Sequence, residues 1–254
     1  MAIYKSKFTG EQVDRAVGYA LDLGGTNLNA VFPKFWLPFQ KYANTDNYRN
    51  YIPSDYGNKC SSVEEGDRYV TLFTGNNNDW WNTKGVINAV GRFLFTEKGC
   101  SFAFNIKPDI SEYGFRRVWF ECSEGFDHSA GRILNVFRIT LNQGSSKSIL
   151  MADITVNGNT IGASLVEFDN SVLTDGSYHN IVVTQGVYDS DIITRIFLDG
   201  ILIMQRDDVP LLYEAVGKNS NISVFTTNGQ NGYDYKGYTK DFIFYNADIS
   251  TLMI

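Results

Sequence analysis

Through most of the chain, apolar and polar residues alternate with a period of two over short stretches, the pattern of half-buried β-strands. The densest stretch is 175–204. Asp175-Gly176-Ser177 reads as a turn, and Ile181-Val182-Val183-Thr184 is β-branched and predicts a strand buried on at least one face. Residues 195–198 and 201–204 predict two more strands, separated only by Asp199-Gly200. A two-residue Asp-Gly loop favours a type I′ turn, in which both central residues take positive φ. The expected register sets Leu198 opposite Ile201, Phe197 opposite Leu202 and Ile196 opposite Ile203. Further strands are expected at 69–73, 91–96, 100–106, 117–122, 134–141, 151–156, 160–168, 222–226 and 241–245. In the segment 100–106, Phe102, Phe104 and Ile106 share one face, with Ala103 and Asn105 on the other. Asn157-Gly158-Asn159 marks a hairpin turn.

The period changes to a helical one near the N-terminus. Thr9 is an N-cap with Gln12 three residues on, completing a capping box, and Phe8 and Val13 form a hydrophobic staple. Val13, Ala16, Val17, Ala20 and Leu21 mark one face, and Gly24-Gly25 stops the helix. A helix this short is marginal in water by itself. Its apolar face therefore needs a partner, either the rest of the chain or identical copies around a symmetry axis. Between 29 and 66 the periodicity fades. Pro33, Pro38 and Pro53 punctuate a stretch crowded with aromatics, unlike a Gly/Ser-rich linker. The expectation is a pinned connector that wraps the sandwich or a neighbouring subunit, or else supplies a first edge strand.

Two resemblances attach to these residues. The run DGSYHNIVVT…RIFLDGILI, with YTKDFIFYNADIS near the end, resembles the core of laminin-G-like, concanavalin A-type jelly rolls. That resemblance implies an all-β, antiparallel β-sandwich, preceded here by a short N-terminal α-helix. The opening YKSKFTGEQVDRAV is similar to the start of tail-fibre and appendage proteins of tailed bacteriophages. It implies a virion structural protein, made in the host cytoplasm. The partners it implies are other copies in a homotrimer, other virion proteins and a host-surface glycan. The expected organisation is an attachment and oligomerisation segment at 1–25, a connector at 26–66 and the jelly roll at 67–254. A third likeness, of LDLGGTN at 21–27 to the phosphate loop of actin-like sugar kinases, lacks its context: a capped helix, not a strand, precedes it.

Composition narrows the functions. Aromatics are 15% of the 254 residues and charged residues 20%, as suits an ordered β protein. A net charge of −6 argues against binding nucleic-acid phosphates. No apolar run approaches a membrane span, and no secretory h-region is visible at the N-terminus. The three cysteines, Cys60, Cys100 and Cys122, fit neither a disulfide framework nor a zinc site and are expected as inert thiols.

No constellation carries catalytic chemistry. Jelly-roll β-glucan hydrolases set E-x-D-x-x-E on one strand; here Glu65-Gly66-Asp67 is followed by Val70 in place of the last acid. Of the two histidines, His128 and His179, the second falls after D-G-x-Y, where the resemblance implies a structural role. The chain is read as non-enzymatic, with a carbohydrate-binding module or glycoside hydrolase as the alternative. Sugar recognition stacks an aromatic ring on the sugar while amides and carboxylates take its hydroxyls. Two loops have that mix: Asn76, Asn78, Asp79, Trp80 and Trp81 in one, and Tyr233, Asp234 and Tyr235, near Asn228 and Asn231, in the other. No cofactor is required, although Asp79, Asp189, Asp191 and Asp234 offer hard oxygen ligands of the kind Ca2+ takes.

Overall fold

The computed structural model describes residues 35–42, 60–75, 99–123, 126–127, 132–133, 136–156, 159–210, 221–225, 234–250 and Met253. In chain order the strands are β1 (Phe35–Pro38), β2 (Gln40–Tyr42), β3 (Cys60–Glu65), β4 (Arg68–Thr74), β5 (Gly99–Pro108) and β6 (Arg116–Ser123). Then come β7 (Phe126–Asp127), β8 (Arg132–Ile133), β9 (Val136–Gln143), β10 (Lys147–Val156) and β11 (Asn159–Asp169). A one-turn helix α1 (Asn170–Leu173) precedes β12 (His179–Tyr188), β13 (Asp191–Leu198), β14 (Ile201–Arg206), β15 (Asn221–Val224) and β16 (Lys236–Tyr245). The expected helix at 9–21, with Phe8, Val13, Ala16, Val17, Ala20 and Leu21, lies outside the described residues, as does the expected strand at 91–96.

The strands form an antiparallel β-sandwich of the jelly-roll kind. One sheet runs β14-β13-β12-β5-β16-β4-β2, with β1 also paired to β16 and β3 to β4; the other runs β11-β10-β9-β6-β15. Their inner faces are built from the alternation in the sequence. Phe102, Phe104 and Ile106 of β5 and Phe242 and Phe244 of β16 meet Trp119, Phe120, Phe137 and Ile139 of the facing sheet. Ring centroids lie 4.7 Å apart for Phe102 and Phe120, and 5.8 Å for the stacked pair Phe120 and Phe242.

The connector enters the sandwich in two ways: β3 (Cys60–Glu65) supplies an edge strand, as expected, and β1 and β2 take an inner place. β4 and β16 pair directly from Thr71↔Thr239 to Thr74↔Lys236 and then diverge past a bulge at Lys240. β1 and β2 fill that wedge: Phe35–Pro38 pairs with β16 and Gln40–Tyr42 with β4. Between them Phe39 donates its amide to the Lys240 carbonyl at 2.7 Å, and its ring packs 5.3 Å from that of Phe225. The edge strand is β3, which lies along β4.

The Asp199-Gly200 turn has φ of 50° and 82°, as type I′ requires. The register beyond it differs from expectation. Leu198↔Ile201 and Phe197↔Leu202 hold, but Ile196 pairs with Met204, because Ile203 is a bulge residue on the edge strand. A bulge twists an edge away from further pairing.

The outer face of the larger sheet is covered by the chain's own C-terminal segment. Ile249 and Met253 pack on Ala103, Val182, Phe197, Ile243 and Tyr245. The segment is held by Ser101, whose hydroxyl donates to the Ala247 carbonyl at 2.7 Å, and by Tyr188 Oη, 2.5 Å from Asp248 Oδ2. Gly186 allows this approach: a Cβ there would fall 2.2 Å from Asp248 Oδ2.

Candidate functional site

At one end of the sandwich the C-terminal ends of β4 and β5, the β9–β10 turn, α1 and the start of β16 surround an open cleft of about 890 Å³. Lys107, Asp109, Ser111, Asn170, Lys236 and Tyr238 contribute its polar lining. The charges are paired along the wall. Lys236 Nζ lies 2.8 Å from Glu112 Oε1 and 3.3 Å from Asp109 Oδ2, while Lys107 Nζ lies 3.5 Å from Glu65 Oε1. The hydrogen bond from Lys236 holds Glu112 below the usual carboxylate range, and the same bond raises the Lys236 ammonium. Burial pushes Asp109 upward. The Ser111 hydroxyl and amide, with Lys236, outweigh it, so the carboxyl ends below its ordinary value. Tyr178 supports the wall from outside the cleft, its ring lying under Lys240 at 3.7 Å and Lys107 at 5.0 Å.

Arg117 sits beneath this end, its side chain 2% exposed. Its Nη2 donates to Glu112 Oε2 at 2.9 Å and its Nη1 to the Asp234 carbonyl at 3.3 Å. Gly75, at φ 66°, comes so close that an added Cβ would meet Arg117 Nη1 at 3.1 Å. Gly75 and Asp234 are the described residues nearest the two loops read as glycan-contacting. One buried guanidinium therefore lies against the described root of each loop, and those roots adjoin, in sequence, the cleft-lining residues Thr74 and Lys236.

Of the expected glycan-contacting residues, Asn76, Asn78, Asp79, Trp80, Trp81 and Tyr233 lie outside the described residues. Asp234 is buried, forms a parallel bridge with Val118, and presents its carbonyl to Arg117. Tyr235 is a correction. Its side chain is 1% exposed, its ring is 4.7 Å from Phe225, and its hydroxyl donates to the Tyr238 carbonyl. The ring belongs to the core and offers no face to a sugar, and burial pushes its phenol well above the ordinary value.

Of the candidate Ca2+ ligands, Asp79 lies outside the described residues, and the other three are not brought together. Asp189 and Asp191 flank the β12–β13 turn, at the far end of the ten-residue strand β12 from the cleft, whereas Asp234 is at the cleft end. Ten extended residues span roughly 30 Å. Among the described residues no group of three or more His, Cys, Asp or Glu is placed to hold a metal ion. Glu65 and Asp67 do not share a strand either, since Gly66 and Asp67 form the β3–β4 turn. No disulfide joins the three cysteines; burial pushes the Cys60 thiol up to about 12 and the Cys100 thiol higher still.

Two rim residues were missed by the sequence reading. Tyr113 is 70% exposed and Phe115 38%, in the β5–β6 connection between Ser111 of the cleft wall and Arg117 beneath it. The signal was available: SEYGF is an aromatic pair around Gly between two strands, the same kind of loop as those that were singled out.

His179 performs the structural role expected of it. It is buried at the start of β12, with Nδ1 2.8 Å from Asp199 Oδ2 and Nε2 3.2 Å from Asp175 Oδ1. Asp199 Oδ1 also accepts the Asn180 amide at 2.7 Å. The imidazole thus ties the Asp175-Gly176-Ser177 turn, whose Gly176 lines the cleft, to the Asp199-Gly200 hairpin. His179→Ala is expected to lower stability by about 1.5–3 kcal/mol, the range for hydrogen bonds to charged partners, read from the urea midpoint at unchanged slope. Asp175 is held below its ordinary pKa first by the Ser177 amide and then, against some desolvation, by His179. A depressed carboxylate pKa contributes stability above the unfolded-state value and loses it as pH falls through the folded one. The gap between wild type and His179→Ala should therefore narrow below about pH 4. A gap unchanged down to acid unfolding would rule out Asp175 as the partner that matters.

No family model and no curated protein sequence matches the chain. Solved structures of similar shape exist. The CBM40 module of the Ruminococcus gnavus IT-sialidase, bound to α2,3-sialyllactose, is 10% identical; the match covers 66% of this chain and 93% of that one at a TM-score of 0.44. Domain 4 of AbnA, a GH43 extracellular arabinanase from Geobacillus stearothermophilus in complex with arabinotriose, is 10% identical over 78% of this chain and 81% of that one, TM-score 0.44. Tailspike protein 2 of the Escherichia coli O157:H7 bacteriophage CAB120 is 14% identical over 85% of this chain but 26% of that one, TM-score 0.40. Likeness this distant says nothing of ligand or role, and the sandwich stands on the chain's own strand pairing.

Proposed function

We propose that the protein is a non-enzymatic structural subunit of a tailed-phage appendage. Its jelly roll meets host-surface glycan at the cleft end of the sandwich. The observation that carries this reading is the convergence at Arg117. Two loops rich in Asn, Asp and aromatic residues are rooted beside a cleft lined by amide, hydroxyl and charged groups, the chemistry that takes up sugar hydroxyls. On this reading the N-terminal motif around Phe8, Val13 and Val17 supplies attachment and trimerisation, and the protein works in the virion with other virion proteins as partners.

The test is an array of purified bacterial O-antigen and capsular polysaccharides, probed with wild type and with Ser145→Trp. Ser145 lies in the exposed β9–β10 turn and lines the cleft, so a Trp there obstructs it without entering the core. At least one polysaccharide should be retained by wild type and lost, about tenfold or more, by the variant at equal melting temperature. No retention by wild type, or equal retention by both, would sink the reading. In light scattering, wild type should show three times the 28.6 kDa chain mass and the Val13→Asp/Val17→Asp variant a single chain.

A further inference from the structure

Two exposed aromatic side chains stand just outside the cleft, on a connection held unusually firmly for a surface loop. The Ser111 amide donates to Asp109 Oδ1 at 2.9 Å, and Gln143 Nε2 donates to the Asp109 carbonyl at 3.1 Å. The Gly114 amide donates to the Gln143 carbonyl at 2.8 Å, and the Gln143 amide returns to the Phe115 carbonyl at 2.7 Å. Glu112, between them, bonds both Lys236 and Arg117. Gly114 takes φ 80°, which lets the chain reverse and lift residue 113 outward. Arg117 Cζ lies 4.6 Å from the Phe115 ring centroid, so one face of that ring is taken. Among the described residues Tyr113 has no such neighbour, and it is 70% exposed. A large ring in water on a backbone already held has met part of the ordering cost that a binding loop otherwise meets on contact.

Position says what the ring would meet. Ser111 lines the cleft and Tyr113 is two residues on, at most roughly 7 Å of extended chain away. That offset is comparable with one sugar ring. We infer, on the glycan reading above, that the ligand is a polysaccharide chain of at least two consecutive sugars and not a lone terminal monosaccharide. One unit occupies the cleft; the next lays its apolar face on Tyr113, with Phe115 beside it. Tyr113 is a specificity residue for chain length.

The experiment uses the full-length protein and acid-hydrolysis fragments of one, two and four sugars from whichever O-antigen or capsular polysaccharide the array retains, measured by titration calorimetry. Wild-type affinity should rise from one sugar to two. Tyr113→Ala should lose roughly two- to tenfold for the longer fragments, as expected for one ring contact, with no change for the single sugar. Tyr113→Trp should restore the loss. If Tyr113→Ala matches wild type at every length while wild type still binds, the platform is overturned and the cleft reading survives. If wild type binds no fragment and no polysaccharide, both fall together. If Tyr113→Ala changes the molar mass in light scattering, the ring belongs to a subunit contact and the inference is overturned.

Discussion

Arg138→Met should cost the fold about 3–5 kcal/mol, the usual consequence of removing one ion-pair partner from a buried charge. Glu121 is that charge. It sits on β6 between β9 and β15, opposite Arg138 and Ser223, and is 0% exposed. Its Oε2 lies 2.6 Å from Arg138 Nε, and its Oε1 accepts the Ser123 hydroxyl at 2.9 Å. A methionine at 138 fills much of the same space and donates nothing. The urea midpoint should fall accordingly with little change in slope. Glu121→Gln/Arg138→Met should recover most of the loss, because a neutral amide needs no counter-charge. Such non-additivity is expected of contacting residues. A second carboxylate stands across the sheet: Asp153, opposite Arg138 on β10, is itself held by Arg116 Nη1 at 3.2 Å and by the Thr140 hydroxyl at 3.3 Å. Both acids are thus clamped by arginines and buried, not poised as an open acid and nucleophile. A loss below about 1 kcal/mol for Arg138→Met would mean that water reaches Glu121.

Trp119→Ala should cost about 3–5 kcal/mol, the range for emptying a buried aromatic site. Trp119 is fully buried and packs 5.4 Å from Phe104 of the opposite sheet. Strict alternation would turn either Trp119 or Phe120 outward. Both face the core because Val118 pairs with Thr140 and Phe120 with Ile139, leaving Trp119 as the extra residue of a bulge. Its carbonyl is taken by the Phe225 amide at 3.0 Å, so the bulge also seats the segment that follows β15. Trp119→Phe should cost less than about 2 kcal/mol: it leaves a smaller void and removes an indole Nε1 that is buried without a hydrogen-bond partner among the described residues. If alanine and phenylalanine were equally tolerated at 119, the ring would not be filling the layer between the sheets.

The candidate site was legible in part. Two loops of the right composition stand out by their Asn, Asp, Trp and Tyr content, but their common root at Arg117 does not. Arg117 reads in the sequence as an ordinary strand residue, and only the fold buries it between Gly75, Glu112 and Asp234. The contrast between Tyr235 and Tyr113 has the same origin. Each follows an acidic residue in a glycine-containing loop, and each is equally plausible as a sugar contact. One is packed against Phe225 and Phe73, and the other stands in water.

What the sequence by itself determined is the local grammar: the positions, to within a few residues, of those expected strands that fall among the described residues, the type I′ turn at Asp199-Gly200, the faces of β5, and a His179 that serves structure. These follow from the sterics of a few neighbouring residues and from an alternation that a pleated strand imposes on its own side chains. What only the tertiary structure decided is where that alternation breaks and what meets across the chain. The bulges at Trp119, Ile203 and Lys240, the wedge of β1 and β2, and the covering of the larger sheet by Ile249 and Met253 arise where two strands or two sheets must fit each other. Burial and convergence are relations between residues far apart in sequence, and no local pattern encodes them.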